Sequence, residues 1–204
     1  MKKIILAIVA ATFMVNMISA QDKSMDLREK LTFGVKAGVN LSNVYDRKGQ
    51  DFKTDGKFGL ATGAFLAIPF GKYVGIQPEV LYSQKGFKTT GILGNFTRTT
   101  NYLDVPIFIA LKPSPFITLL AGPQYSYLLK GKYDYKSSLL SSQFTNDNAR
   151  KSIWGLVAGI DLNLANIVIG GRAGWDLNEN NKNGTTTTPR YKNVLLQATF
   201  GFRF

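Results

Sequence analysis

The stretch Leu31-Thr32-Phe33-Gly34-Val35-Lys36-Ala37-Gly38-Val39-Asn40-Leu41 decides the fold: its odd positions are all apolar, and its even positions are polar or glycine. A period of two sends successive side chains to opposite faces of a β-strand, and here the two faces differ in chemistry. The end of the chain repeats the pattern. Val194, Leu196, Ala198, Phe200, Phe202 and Phe204 share one face, and Asn193, Gln197, Thr199, Gly201 and Arg203 share the other. Between these segments the same reading predicts six more strands, at about 57–69, 73–85, 100–112, 115–129, 152–164 and 166–177. No helical period intervenes, and eight strands are expected.

Connections alternate strictly between tight and long. Tight turns are expected near Phe70-Gly71-Lys72, Pro113-Ser114 and Ala165-Asn166; long loops, rich in Gly, Asn, Asp, Thr and Lys, are expected over about 42–56, 86–99, 130–151 and 178–190. That rhythm specifies an up-and-down meander with every long loop at one end. A meander of eight strands closes into a barrel, and the chemistry of its two faces says in which solvent.

One face carries Lys36, Asn40, Gln77, Glu79, Ser83, Lys85, Thr118, Gly122, Gln124, Ser126, Gly170, Arg172, Gly174 and Asp176. The other, with Leu60, Leu66, Leu103, Val105, Ile107, Ile109, Leu111, Leu156, Ile160 and Leu162, is free of charge. A soluble lipocalin-like barrel would turn its charges outward and keep a wide apolar cavity. Here the polar, glycine-rich face suits the narrow interior of eight strands, so the apolar face is expected to meet lipid. Closure then satisfies every backbone N–H and C=O where no water is available. Aromatics fall at two levels, as a membrane barrel requires at its two interfaces. Phe33, Phe70, Tyr73, Phe116, Phe202 and Phe204 lie at the end of the tight turns, the expected periplasmic side, and Phe58, Tyr82, Tyr125, Tyr127, Trp154 and Trp175 lie at the other. A soluble β-sandwich with core aromatics is the alternative.

Composition narrows the chemistry. The 204 residues include 20 glycines but neither cysteine nor histidine, which excludes disulfides, thiolate chemistry, histidine-based zinc sites and Ser-His-Asp catalysis within this chain. No glycine lies in a phosphate-binding loop motif. No catalytic, cofactor-binding or metal-binding residue is assigned. Lys2-Lys3, the apolar run Ile4 to Val15 and Ile18-Ser19-Ala20 form the expected signal peptide over 1–20, followed by a short, loosely ordered polar lead-in over 21–30 and the barrel over 31–204. Setting Lys2 and Lys3 aside lowers the formal charge from +12 to +10.

Four segments carry a family resemblance: Phe33 to Ser42 (FGVKAGVNLS), Gln77 to Gly86 (QPEVLYSQKG), Asn101 to Pro106 (NYLDVP) and Ala121 to Tyr125 (AGPQY). In this order they resemble the PorT-like outer-membrane β-barrel family of the Bacteroidetes. The terminal Phe200-Gly201-Phe202-Arg203-Phe204 likewise looks like the insertion signal read by the barrel assembly machinery. The resemblance implies an eight-stranded barrel in the bacterial outer membrane. Because the family is named for a member needed in type IX secretion, it also implies secretion-system proteins as partners.

Lys36, Glu79, Asp104, Asp161, Arg172 and Arg203 are the inward charges, expected to form a structural polar network that plugs the lumen; the alternative is a gate or ion path. Glu79 and Asp104 on neighbouring strands could otherwise be read as an acid/base pair. Pro78 and Pro106 remove ladder donors, so bulges or edge-like distortions are expected near them. Basic residues in or beside the outer loops, Arg47, Lys48, Lys53, Lys130, Lys132, Lys136, Arg150, Lys151, Lys182, Arg190 and Lys192, suit anionic lipopolysaccharide better than nucleic acid in an exported protein. The function expected is a non-enzymatic outer-membrane barrel with a structural or surface-interaction role, or an accessory role in secretion.

Overall fold

The computed structural model describes residues 26–48, 54–91, 94–135, 150–180 and 190–204; the expected signal segment lies outside them. In chain order the strands are β1 (Thr32–Lys48), β2 (Thr54–Pro69), β3 (Val74–Gly91), β4 (Gly94–Ser114), β5 (Ile117–Tyr135), β6 (Ser152–Leu164), β7 (Ile167–Asp176) and β8 (Arg190–Arg203). Each pairs antiparallel with the next, and β8 returns to β1, with Val35 opposite Phe202 and Val39 opposite Ala198. The sheet is a closed barrel without helices among the described residues.

Burial follows the period-two reading. Along β6, Ile153, Val157, Asp161 and Asn163 are buried while Trp154, Leu156, Ile160 and Leu162 are exposed. The same inversion of ordinary polarity runs around the wall: Leu60 and Ile109 are more than 60% exposed, whereas Lys36, Glu79 and Asp104 are at most 4% exposed. A folded chain that buries its charges and presents leucine and isoleucine outward is built for an apolar solvent.

The interior also holds large apolar groups that the polar face did not announce. Phe108, Ala110, Leu120 and Val157 form one cluster, Tyr102, Leu128 and Ile153 a second, and Val44, Phe87 and Tyr191 a third. Phe65 is buried as well, and a glycine makes room for it: a Cβ on Gly34 would collide with its ring.

Four expectations are corrected. First, the strands run well past their expected outer ends, and the expected loop 86–99 is largely strand, with Gly86 opposite Thr99 and Gly91 opposite Gly94. β4 has 21 residues, about twice what a tilted strand needs to cross the hydrocarbon core. Beyond the hydrocarbon the outward face of its outer half need not be apolar, so the sequence there has no reason to alternate apolar with polar residues. Second, the β4–β5 turn is Pro115-Phe116, with Ser114 paired to Ile117, two residues beyond the expected position. Third, pairing resumes in the same register on both sides of Pro78 and Pro106. Register shifts occur elsewhere, between Asn101 and Tyr102 on β4 and between Gly56 and Ala61 on β2. Beside the prolines the pairing lapses without adding a residue, so the expected distortion is present and the bulge is not. Fourth, the lead-in is ordered from residue 26. It turns at Leu27, whose carbonyl accepts from the Lys30 N–H, and docks at the tight-turn end, where Lys112 Nζ donates to the Arg28 carbonyl at 2.9 Å.

Candidate functional site

Polar side chains fill the lumen in tiers, because every second residue of each strand points inward and strand tilt brings different positions to one level. Nearer the tight turns, Lys36 of β1, Gln77 and Glu79 of β3, Asp161 of β6 and Arg172 of β7 meet. Lys36 Nζ lies 2.7 Å from Glu79 Oε1, which also accepts from Gln77 Nε2 at 2.9 Å and from Arg172 Nη2 at 3.4 Å. Arg172 grips Asp161 with both terminal nitrogens, at 2.7 and 3.0 Å, and Gln77 Nε2 reaches Asp161 Oδ2 at 3.3 Å. Two cations thus face two carboxylates, and the set is formally neutral. Aromatic rings back the cations, Phe65 under Lys36 at 4.9 Å and Phe108 under Arg172 at 5.3 Å. Gly170 leaves space for this arrangement: a Cβ there would stand 2.7 Å from Asp161 Oδ1 and 2.6 Å from Thr199 Oγ1.

Further toward the long-loop end, Asn40 Nδ2 donates to Ser83 Oγ, and Gln197 Nε2 donates to Asn40 Oδ1, each at 2.9 Å. Beyond that layer Lys85 Nζ lies 3.1 Å from Asp104 and 3.3 Å from Ser126 Oγ, over the Tyr102 ring at 5.0 Å.

Of the six inward charges expected together, Lys36, Glu79, Asp161 and Arg172 share one cluster. Asp104 pairs instead with Lys85, a residue on the polar face whose role the sequence did not single out. Arg203 lies apart at the tight-turn mouth, donating to the Ala165 carbonyl and to Asn163 Oδ1. Glu79 and Asp104 are committed to different cations, so the acid/base pairing is not assembled. Among the described residues no group of acidic side chains is arranged to hold a metal. Arg98, buried over the Tyr191 ring at 5.2 Å, lay hidden in the expected loop 86–99. Lys112 shares the inward parity of Asp104 on β4, a signal that could have revealed it.

The aromatics divide as follows. At the tight-turn end Phe33, Phe70, Tyr73, Phe116 and Phe204 are exposed, Phe202 is half-buried, and Phe33 stacks on Phe204 with centroids 6.0 Å apart. Toward the long loops Phe58, Tyr82, Tyr127, Trp154 and Trp175 are exposed, while Tyr125 is half-buried, edge-on to Trp154 at 5.2 Å. Of the outer basic residues, Lys130 and Lys151 are exposed, and Arg150 and Lys192 are half-buried. Arg47, Lys48, Lys132 and Arg190 fall on strands. Lys53, Lys136 and Lys182 lie outside the described residues.

A closed eight-stranded antiparallel barrel, apolar outside and ion-paired inside, defines a transmembrane barrel of the bacterial outer membrane. The chain belongs to the outer membrane protein beta-barrel domain family, whose model matches residues 19–181. Its fold is similar to that of the outer membrane protein OprG from Pseudomonas aeruginosa, with a TM-score of 0.50, 13% identity, and coverage of 89% of this chain and 99% of that one. Neisserial surface protein A is similar too, with a TM-score of 0.50, 10% identity, and coverage of 85% and 97%. No curated protein matches the chain.

Proposed function

We propose that this protein is a non-catalytic outer-membrane barrel whose outward-facing end is a contact surface for lipopolysaccharide. The observation that carries the reading is the filled lumen: neutral sets of buried ion pairs occupy the interior, leaving the outer rim to carry function. At that rim the exposed Lys130 and Lys151 stand close above the ring of Tyr127 and Trp154, where Leu128 N donates to the Lys151 carbonyl. Aromatic rings at the interface with cations just beyond them suit the phosphates of an anionic glycolipid. In the same reading residues 1–20 are a cleaved signal peptide, and the terminal Phe200, Phe202 and Phe204 are read by the barrel assembly machinery during insertion. The inward charges then serve as a structural plug.

The placement among PorT-like proteins of the Bacteroidetes, and with it an accessory role in secretion, is the second reading. Its structural support is the ordered lead-in at the opposite mouth, a docked surface on the periplasmic side. In-cell photocrosslinking from position 130 and from position 72 separates the two. Lipopolysaccharide adducts from position 130 alone are expected. Adducts to secretion proteins from position 72, with none to lipopolysaccharide from position 130, would replace the first reading with the second.

A further inference from the structure

Beneath the docked lead-in, at the tight-turn mouth, lies a cavity of about 20 Å³, room for roughly one water-sized particle. Its walls include Leu27, Arg28, Lys112, Thr118, Asn163 and Arg203. The donors here outnumber the acceptors. Lys112 is 6% exposed, and its ammonium has one partner among the described residues, the Arg28 carbonyl. Two of its N–H groups are left over, and among the described residues no carboxylate lies within ion-pair distance. Arg203 spends Nε on the Ala165 carbonyl and Nη1 on Asn163, leaving Nη2. The Thr118 hydroxyl accepts from Asn163 Nδ2 and keeps its own hydrogen to donate. Asp161 also borders the cavity, but both its oxygens are held by Arg172, with Gln77 on one of them. Burying an ammonium beside a guanidinium without a counter-charge is costly.

We infer that this cavity is a chloride site, in which Lys112, Arg203 and Thr118 direct their spare hydrogens at one monatomic anion. The volume favours the smallest anions: a halide is little larger than the water the space admits. The site is independent of the role proposed for the outer rim.

The test is chloride-35 NMR line broadening of the folded, full-length mature chain in detergent, titrated with chloride and competed with bromide. Saturable broadening that bromide reverses is expected, weakened about tenfold or more in Lys112→Met through loss of a charge-assisted contact and unchanged in Lys72→Gln, which removes an exposed cation on the β2–β3 turn. Folding of each variant is checked by the change of gel mobility on boiling. Absence of saturable broadening in the folded protein, or equal broadening in folded Lys112→Met, overturns the assignment. If Lys112→Met does not fold, Thr118→Val and bromide anomalous scattering from crystals of the unaltered protein replace it. A bromide peak between Lys112 and Arg203 supports the site, and its absence there overturns it.

Discussion

At the scale of single residues, the buried charges are held by partners rather than by water, so removing one partner is worse than removing both. Asp104→Asn strands the Lys85 ammonium on Ser126, and a loss of about 3–5 kcal/mol is expected by urea unfolding in lipid vesicles. The double replacement Lys85→Met with Asp104→Leu should recover most of it; a double variant as weak as the single one would contradict the pairing. Ala165 is a second sensitive position. It occupies the first place of the two-residue β6–β7 turn with φ of 51°, a left-handed conformation that glycine adopts without a Cβ penalty. Ala165→Gly should therefore raise stability by about 0.5–1 kcal/mol in the same assay, and a loss would count against the turn. The sequence disclosed inward parity but not partnership. Lys36, Glu79, Asp161 and Arg172 all point inward and converge, while Asp104 also points inward and meets Lys85 instead. Which inward residues share a level depends on the stagger of the closed sheet, which no single strand records.

At the scale of elements, lipid is what made the strands legible. Where one face meets hydrocarbon, alternation is enforced, as in Leu103, Val105, Ile107, Ile109 and Leu111 of β4 against Tyr102, Asp104, Phe108 and Ala110. Above the membrane that demand ends, and Thr97, Arg98 and Thr99 read as loop although they pair in register with β3. The outer part of the β3–β4 hairpin is held by its own small core, where Phe87 meets Tyr191 edge-on at 5.0 Å and Val44 completes the cluster. Phe87→Ala should speed hydrogen exchange at 86–91 and 94–100 and leave 103–111 protected, since the removed contacts, about 3–5 kcal/mol for a buried Phe, belong to the outer unit. Uniform loss of protection along β4 would contradict two separable parts. The turn of the lead-in is tied within itself: Arg28 bonds both carboxylate oxygens of Asp26, at 2.9, 3.1 and 2.6 Å. That hydrogen bonding lowers the Asp26 carboxyl from 3.8 to about 2. A lowered acid favours the tied state above its ordinary value and loses that advantage as pH falls through the lowered one. Carbon-13 NMR of the Asp26 carboxyl should titrate near 2, returning toward 3.8 in Arg28→Gln; an unshifted midpoint in the parent chain would contradict the tether.

At the scale of the whole molecule, the mean hydropathy of −0.03 follows from apolar residues facing lipid that alternate with polar ones facing a filled lumen. The missing cysteine makes the central claim directly measurable, because a single Cys introduced at each position in turn can carry a nitroxide spin label without interference. Along β4 in lipid bilayers, labels at 103, 105, 107, 109 and 111 should collide with oxygen dissolved in the hydrocarbon, and labels at 102, 104, 108 and 110 should collide with neither oxygen nor a water-soluble nickel reagent. Oxygen collisions alternating with period two and peaking at the odd positions are the predicted result. A peak at the even positions, or nickel collisions throughout 102–111, would contradict a lipid-embedded barrel with a closed polar interior.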